Sequence, residues 1–297
     1  VNDMVLTTIL SLSVALLTST HELTIAKTLN TPKAIAAFNG VVVSFQQDSL
    51  QTIGENDTVV IADFPLGTHS EVQLRLQRFD VFTQNAEVVV GVINKAGDFI
   101  DTHIARPNLV LLRGIIEGDP SSRIFLALGE HTSNGLIETE GKTYVLAKDK
   151  RLDLTVVYNL NDIDSEDMNW VDFHCDVEDS KMKIQEQQNN QSQTSVGGGC
   201  QALQMAIETD WEFTNDLFGG NVAESSEYAT TLIAAVSLIT NSELGYAVQI
   251  PYLRLWGNSD DPWSGSNTST QLNQFQSYWL QNMDHVSRHL AHMLSGR

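Results

Sequence analysis

From residue 59 to residue 157 the chain shows no helical period longer than two turns. Apolar residues recur there at every second position instead. Val72, Leu74 and Leu76, then Phe79 and Val81, alternate with polar residues in 71–90 (EVQLRLQRFDVFTQNAEVVV). A period of two with β-branched and aromatic residues marks strands. Residues 109–116 and 123–128 (RIFLAL) are further apolar runs, with a turn signal at Asp119-Pro120 between them. Asn134-Gly135, between two strand-like runs, predicts a hairpin turn. Gly141-Lys142 then precedes the run 143–147 (TYVLA).

The pattern changes after residues 178–199 (EDSKMKIQEQQNNQSQTSVGGG), which are polar and end in three glycines. Such a stretch buries too little apolar surface to fold alone and reads as a flexible, protease-accessible linker. Lys181 and Lys183 lie inside it and are the expected cut sites; Arg151 lies well before it. Beyond it, residues 202–207 (ALQMAI) read as a buried strand. Residues 225–241 place Tyr228, Leu232, Ala235 and Ile239 on one helical face. Residues 246–256 (YAVQIPYLRLW) are a second strand. Residues 270–283 open with a hydroxyl cap and set Leu272, Phe275 and Trp279 at helical spacing. Residues 286–294 return to an apolar run. The order β-α-β-α-β predicts an α/β sheet, so the whole chain is read as α+β.

With 297 residues the chain has length for two domains of ~150 residues. The expected division is an export signal over 1–26, a β-rich domain over 27–177, the linker over 178–199 and the α/β part over 200–297. Residues 5–19 (VLTTILSLSVALLTS) are uncharged and largely apolar. They are long enough for a signal core and short for a membrane span of ~20 residues. The cut is expected between Ser19 and Ala26. No later run is long enough to span a bilayer, so a secreted or extracytoplasmic protein is expected. A formal net charge of -20 argues against nucleic acid and against an anionic membrane surface.

Several separated blocks in the last hundred residues carry a resemblance. They are 200–213 (CQALQMAIETDWEF), 219–221, the first helix, 253–256 (LRLW) with Asp261-Pro262-Trp263, 275–279 (FQSYW) and 288–296 (RHLAHMLSG). In this order they resemble the adamalysin/reprolysin branch of the metzincin zinc endopeptidases, in its secreted bacterial form. Phe64-Pro65-Leu66, residues 74–81 and residues 135–144 (GLIETEGKTY) look like that family's propeptide.

The resemblance implies a zymogen whose parent hydrolyses protein or peptide substrates with zinc-activated water. It also implies that the glycine-rich segment, the edge strand and the HExxHxxGxxH helix come after the matched blocks. The sequence contains no HExxH, so the 297 residues are expected to carry no zinc ligand and no catalytic residue, and to be inactive alone. A non-catalytic secreted binding or inhibitory module derived from such a peptidase is the competing reading.

Cys175 and Cys200 are the only cysteines. The resemblance offers Cys175 as a latency thiolate on zinc, although Asp176 stands where a glycine is usual. A Cys175–Cys200 disulfide across the linker, or neither role, stays open. His285, His289 and His292 are close in sequence but read as packing or surface residues rather than a metal set. Asp260-Asp261 reads as a solvated turn rather than a calcium site. His69, His103 and His131 are isolated.

Overall fold

The computed structural model describes residues 19–163 and 201–297, apart from 29–31, 37, 38, 69, 150 and 266. Within them the chain is mixed α/β and rich in strand. The first half contains β1 (Thr20–Glu22), β2 (Ile25–Lys27), α1 (Lys33–Ala36), β3 (Val41–Phe45), α2 (Gln47–Gln51), β4 (Thr58–Pro65) and β5 (Glu71–Phe79). It continues with β6 (Phe82–Ile93), β7 (Phe99–His103), β8 (Val110–Ile116), β9 (Asp119–Leu128), β10 (Ser133–Thr139), β11 (Lys142–Asp149) and β12 (Leu154–Asn159). The second half contains β13 (Gln201–Thr209), α3 (Trp211–Phe218), α4 (Val222–Leu244), β14 (Tyr246–Trp256), α5 (Thr268–Asn282) and β15 (Leu290–Leu294).

Ten strands form one sheet in the order β1-β4-β5-β8-β9-β10-β11-β12-β3-β2. Its two edges, β1 and β2, are consecutive in sequence and joined only by Leu23 and Thr24. A two-residue link spans less than ~10 Å, so the sheet must curl until its edges meet. The enclosed core includes Leu23, Ile61, Phe64, Leu74, Leu112, Leu126, Ile137 and Leu146. Asp57 fastens the closing strap: its carboxylate accepts from Ser19 N at 3.0 Å and lies 2.8 Å from His21 Nε2. Lys27 pairs with Glu71 on the other side.

Residues 20–27 thus close the sheet, although all but Lys27 fall in the tail of the stretch read as an export signal. Relative to a chain beginning at Ser19, one beginning at Thr28 loses at least the burial of Leu23, about 1.5–3 kcal/mol, and both edge strands. Equal melting of the two shortened chains would contradict this closure.

The second sheet has the order β15-β13-β14-β6-β7. Only three of its strands come from the second half; β6 and β7 are an arm lent by the first. The arm leaves the curled sheet between β5 and β8, which pair with each other across its base (Phe79↔Leu111). Pairing of β15, β13, β14 and β6 is parallel, and β7 returns antiparallel to β6. Right-handed crossovers to opposite sides of β13 put α4 on one face and α5 on the other. The side chains agree, with Val88, Ile207 and Leu253 facing one core and Val89, Ala206 and Tyr252 the other.

Pro251 lacks an amide donor, and the β14–β6 register slips between Ile250 and Tyr252. Arg106 Nη2 donates towards the nearby β6 carbonyls of Thr83, Gln84 and Ala86 at 3.0, 2.8 and 3.1 Å.

The two halves share a core. Leu109, Leu111, Phe125 and Ala127 on the outside of the curled sheet join Ala229, Ile233 and Ala234 of α4. Pressed between two layers, α4 buries small and hydroxyl-bearing residues. Thr230 and Thr231 satisfy their hydroxyls on carbonyls one turn back, Ser226 and Glu227, each at 2.8 Å. This corrects the expected face: Ile239 is exposed and Leu232 half-buried, while Ala229, Ile233 and Ala234 are buried.

Asn134-Gly135 is not a turn either. Gly135 lies inside β10, where a Cβ would come within 2.6 Å of the Phe125 carbonyl oxygen, so glycine answers a close strand approach. The two-residue hairpin turn is Glu140-Gly141, both with positive φ (50° and 72°), between the paired Thr139 and Lys142.

Candidate functional site

The most elaborate polar constellation lies between the second sheet and α5. Period two puts Tyr252, Arg254 and Trp256 of β14 on the same face, and Glu208 of β13 beside them. Glu208 is fully buried. Its Oε1 accepts from Trp256 Nε1 at 2.8 Å and its Oε2 from Trp279 Nε1 of α5 at 2.6 Å. Arg254 Nη1 approaches Oε1 at 3.4 Å and donates to Tyr278 Oη at 2.9 Å.

The arm completes the cluster. Asp101 of β7 accepts from Arg254 Nη2 at 2.6 Å and from Tyr252 Oη at 2.7 Å. Phe99 sets its ring edge-on to Trp256 and Tyr278, with centroids 5.9 and 5.1 Å apart. Gly91 of β6 lies under the Trp256 indole, where a Cβ would sit 3.1 Å from the ring. A buried guanidinium is tolerable only with its charge matched and its donors used. Here one carboxylate comes from each half of the chain.

Burial pushes the Glu208 carboxyl up to about 7, against the pull of Arg254 and the two indole donors. Burial also opposes the charge of Arg254, but Glu208, Tyr252 and Asp101 outweigh it and hold the guanidinium more firmly protonated than usual.

Because the folded state binds the Glu208 proton more tightly than the unfolded chain, this group's stabilisation is present in full below its ordinary value of 4.5. It is lost as pH rises through about 7. A rise from 4.5 to about 7 corresponds to about 3 kcal/mol at ~1.36 kcal/mol per unit. Asp261, raised by burial to about 6, acts with the same sign. Urea titrations between pH 4.5 and 7.5 are expected to show this loss, and Glu208→Gln to flatten it. An unchanged slope in Glu208→Gln would contradict the assignment.

A second buried carboxylate organises the end of the sheet. Asp210 Oδ1 accepts from Phe213 N at 2.7 Å, capping α3, and from Gly296 N at 2.9 Å. Its Oδ2 accepts from Ser295 Oγ at 2.5 Å and Gln271 Nε2 at 3.2 Å. One side chain thus fixes a helix start and the strand exit after β15. A third, Glu227 of α4, reaches into the first half and accepts from His131 N at 3.1 Å; burial raises its pKa.

Cys175, Cys200, Lys181, Lys183 and His69 lie outside the described residues. The three C-terminal histidines do not converge on a metal. His289 Nδ1 accepts from Gln204 N at 2.8 Å, and His292 lies in β15 with its pKa lowered by burial. His285 stands in the preceding loop. Asp261 is not simply a solvated turn residue: it accepts from Trp211 N at 2.7 Å and Trp263 N at 3.3 Å. Among the described residues no three His, Cys, Asp or Glu side chains are grouped to hold a metal ion. No helix among them is long and apolar enough to cross a membrane.

The Glu208–Arg254–Asp101 cluster did not emerge from motif spacing. Its signal was a lone glutamate at the end of one apolar strand run and a lone arginine inside another.

No family model matches the chain, and no curated protein does. One solved structure similar to it is metalloproteinase-II from Bacteroides fragilis, with a TM-score of 0.36 and 10% identity over 77% of this chain. The match covers 61% of that structure, so the chain spans about three-fifths of its length.

Proposed function

We propose that the chain comprises the prosegment and the upstream part of the catalytic unit of a secreted, adamalysin-like zinc endopeptidase. The observation that carries this reading is where the resembling blocks meet. Glu208 comes from the block 200–213, Arg254 and Trp256 from 253–256, Tyr278 and Trp279 from 275–279, and these residues form one hydrogen-bonded cluster. Asp210 and Ser295-Gly296 join the first block to the last in the same way. Residues separated in sequence thus have a common reason to occur together.

On this reading the first half covers the second as a prosegment, and separating them is the activating event. Export would cut at or before Ser19, since a later cut removes the strap. A cut near Lys181 or Lys183 would follow, with Cys175 serving as zinc ligand, as disulfide partner of Cys200, or as neither. The described residues do not form a zinc site, so no chemical step is assigned to them. The resemblance places the zinc-binding helix after the matched blocks, and protein or peptide substrates belong to that parent.

Reading the coding sequence beyond codon 297 tests the proposal. An open frame encoding HExxHxxGxxH is expected. A stop codon there would overturn it in favour of a non-catalytic secreted module. The purified 297-residue chain should show no chelator-sensitive cleavage of casein.

A further inference from the structure

We propose that the β14 edge is a strand-binding site, filled in this chain by its own arm, that recognises an arm supplied in trans. The ligand class is a short β-hairpin peptide. Its first strand adds parallel to β14, and its return strand carries a carboxylate for Arg254. This holds whether or not the chain belongs to a peptidase.

The geometry separates the arm from the body that bears it. The arm is an excursion between β5 and β8, which already pair with each other, so the curled sheet keeps its strand order without it. On the other side, β14 without β6 would be a sheet edge with unpaired backbone groups, a ready template for an incoming strand. Specificity is written in side chains. Val88 and Val89 enter the cores on the two faces of the sheet, and both are buried. The position opposite Trp256 leaves little room for a side chain, and Gly91 stands there, where a Cβ would sit 3.1 Å from the indole. Arg254 and Tyr252 both direct donors at one carboxylate oxygen, Asp101 Oδ2. Phe99 sets its ring edge-on to Trp256. A first half freed by cleavage would keep the arm's share of these features, Val88, Val89, Gly91, Phe99 and Asp101, and so the means to rebind.

The test uses the full chain with residues 81–109 replaced by Asn-Gly, which turns directly from Asp80 of the β5 end to Val110 of β8. The probe is a fluorescein-labelled peptide of residues 82–103, followed by anisotropy. Saturable one-to-one binding is expected. Peptides carrying Asp101→Ala or Gly91→Val should bind at least tenfold more weakly. Absence of saturable binding to a folded arm-less chain, or equal binding of the variant peptides, would overturn the proposal. A second measurement does not require that variant to fold. In the full chain with Asp101→Ala, amide exchange of β14 should accelerate at least tenfold while β9–β11 keep their protection. Unchanged β14 exchange would also overturn it.

Discussion

Replacing Glu208 by alanine is expected to destabilise the chain by about 3–5 kcal/mol, the usual cost of breaking a buried ion pair from one side. The change strips the acceptor from two buried indole N–H groups, those of Trp256 and Trp279. It also leaves Arg254 with Asp101 as its remaining carboxylate. Each orphaned buried donor costs ~1–3 kcal/mol. The protein's total stability is expected to be only ~5–15 kcal/mol, so the loss is a large share of it. For a chain of this size it corresponds to a fall in Tm of roughly 10 °C. Glu208→Gln should fall between: its carbonyl serves one indole, but its amide faces the other donor. A Glu208→Ala protein that melts with the wild type would show that the cluster contributes no net stability.

Trp256→Ala is the second large effect, about 3–5 kcal/mol for deleting a buried tryptophan. The ring is fully buried and fills the space over Gly91 and beside Phe99, so its loss empties the seat of the arm. Exchange protection should therefore fall first in β6 and β7. Because Trp256 and Glu208 share a hydrogen bond, the double variant should cost less than the sum of the two. Loss of protection confined to β13 and β15, with the arm still protected, would contradict this placement.

Much of the fold was legible in the sequence. Alternation over 71–90 announced β5 and the start of β6, and the β-α-β-α-β order gave the parallel strands of the second half. The allocation of strands to sheets was not legible. β5 and β6 have the same period-two pattern, yet one lines the curled sheet and the other extends the second. Periodicity reports which face is apolar, not which partner covers it. Helix α3 was missed because its eight residues carry too few turns for a period; Asp210 at its N-cap was the available sign. In place of the hydroxyl cap expected for α5 stands the carboxamide of Asn267, whose side chain accepts from Thr270 N. Gly135 misled because glycine after asparagine also serves where two strands press together.

For the site, the most telling signal was a mismatch. YLRLW is a buried strand with an arginine in it, and ALQMAIE ends in a glutamate. A buried charge demands an opposite one, which calls for a buried carboxylate beside Arg254, and Glu208 is one that answers it. Asp101 could not be found so, because it sits in a short, mostly exposed strand far away in sequence.

The two halves are one body, joined by a shared core from Val81 to Leu255 and by the Asp101–Arg254 pair. The most direct measurement uses the full chain with a site-specific protease sequence placed after Lys183. It is cut to completion in reductant, so that no Cys175–Cys200 bond joins the pieces, and run on native gel filtration. Both pieces are expected to elute together at the position of the uncut chain. Separate elution of the two pieces in native buffer would contradict it.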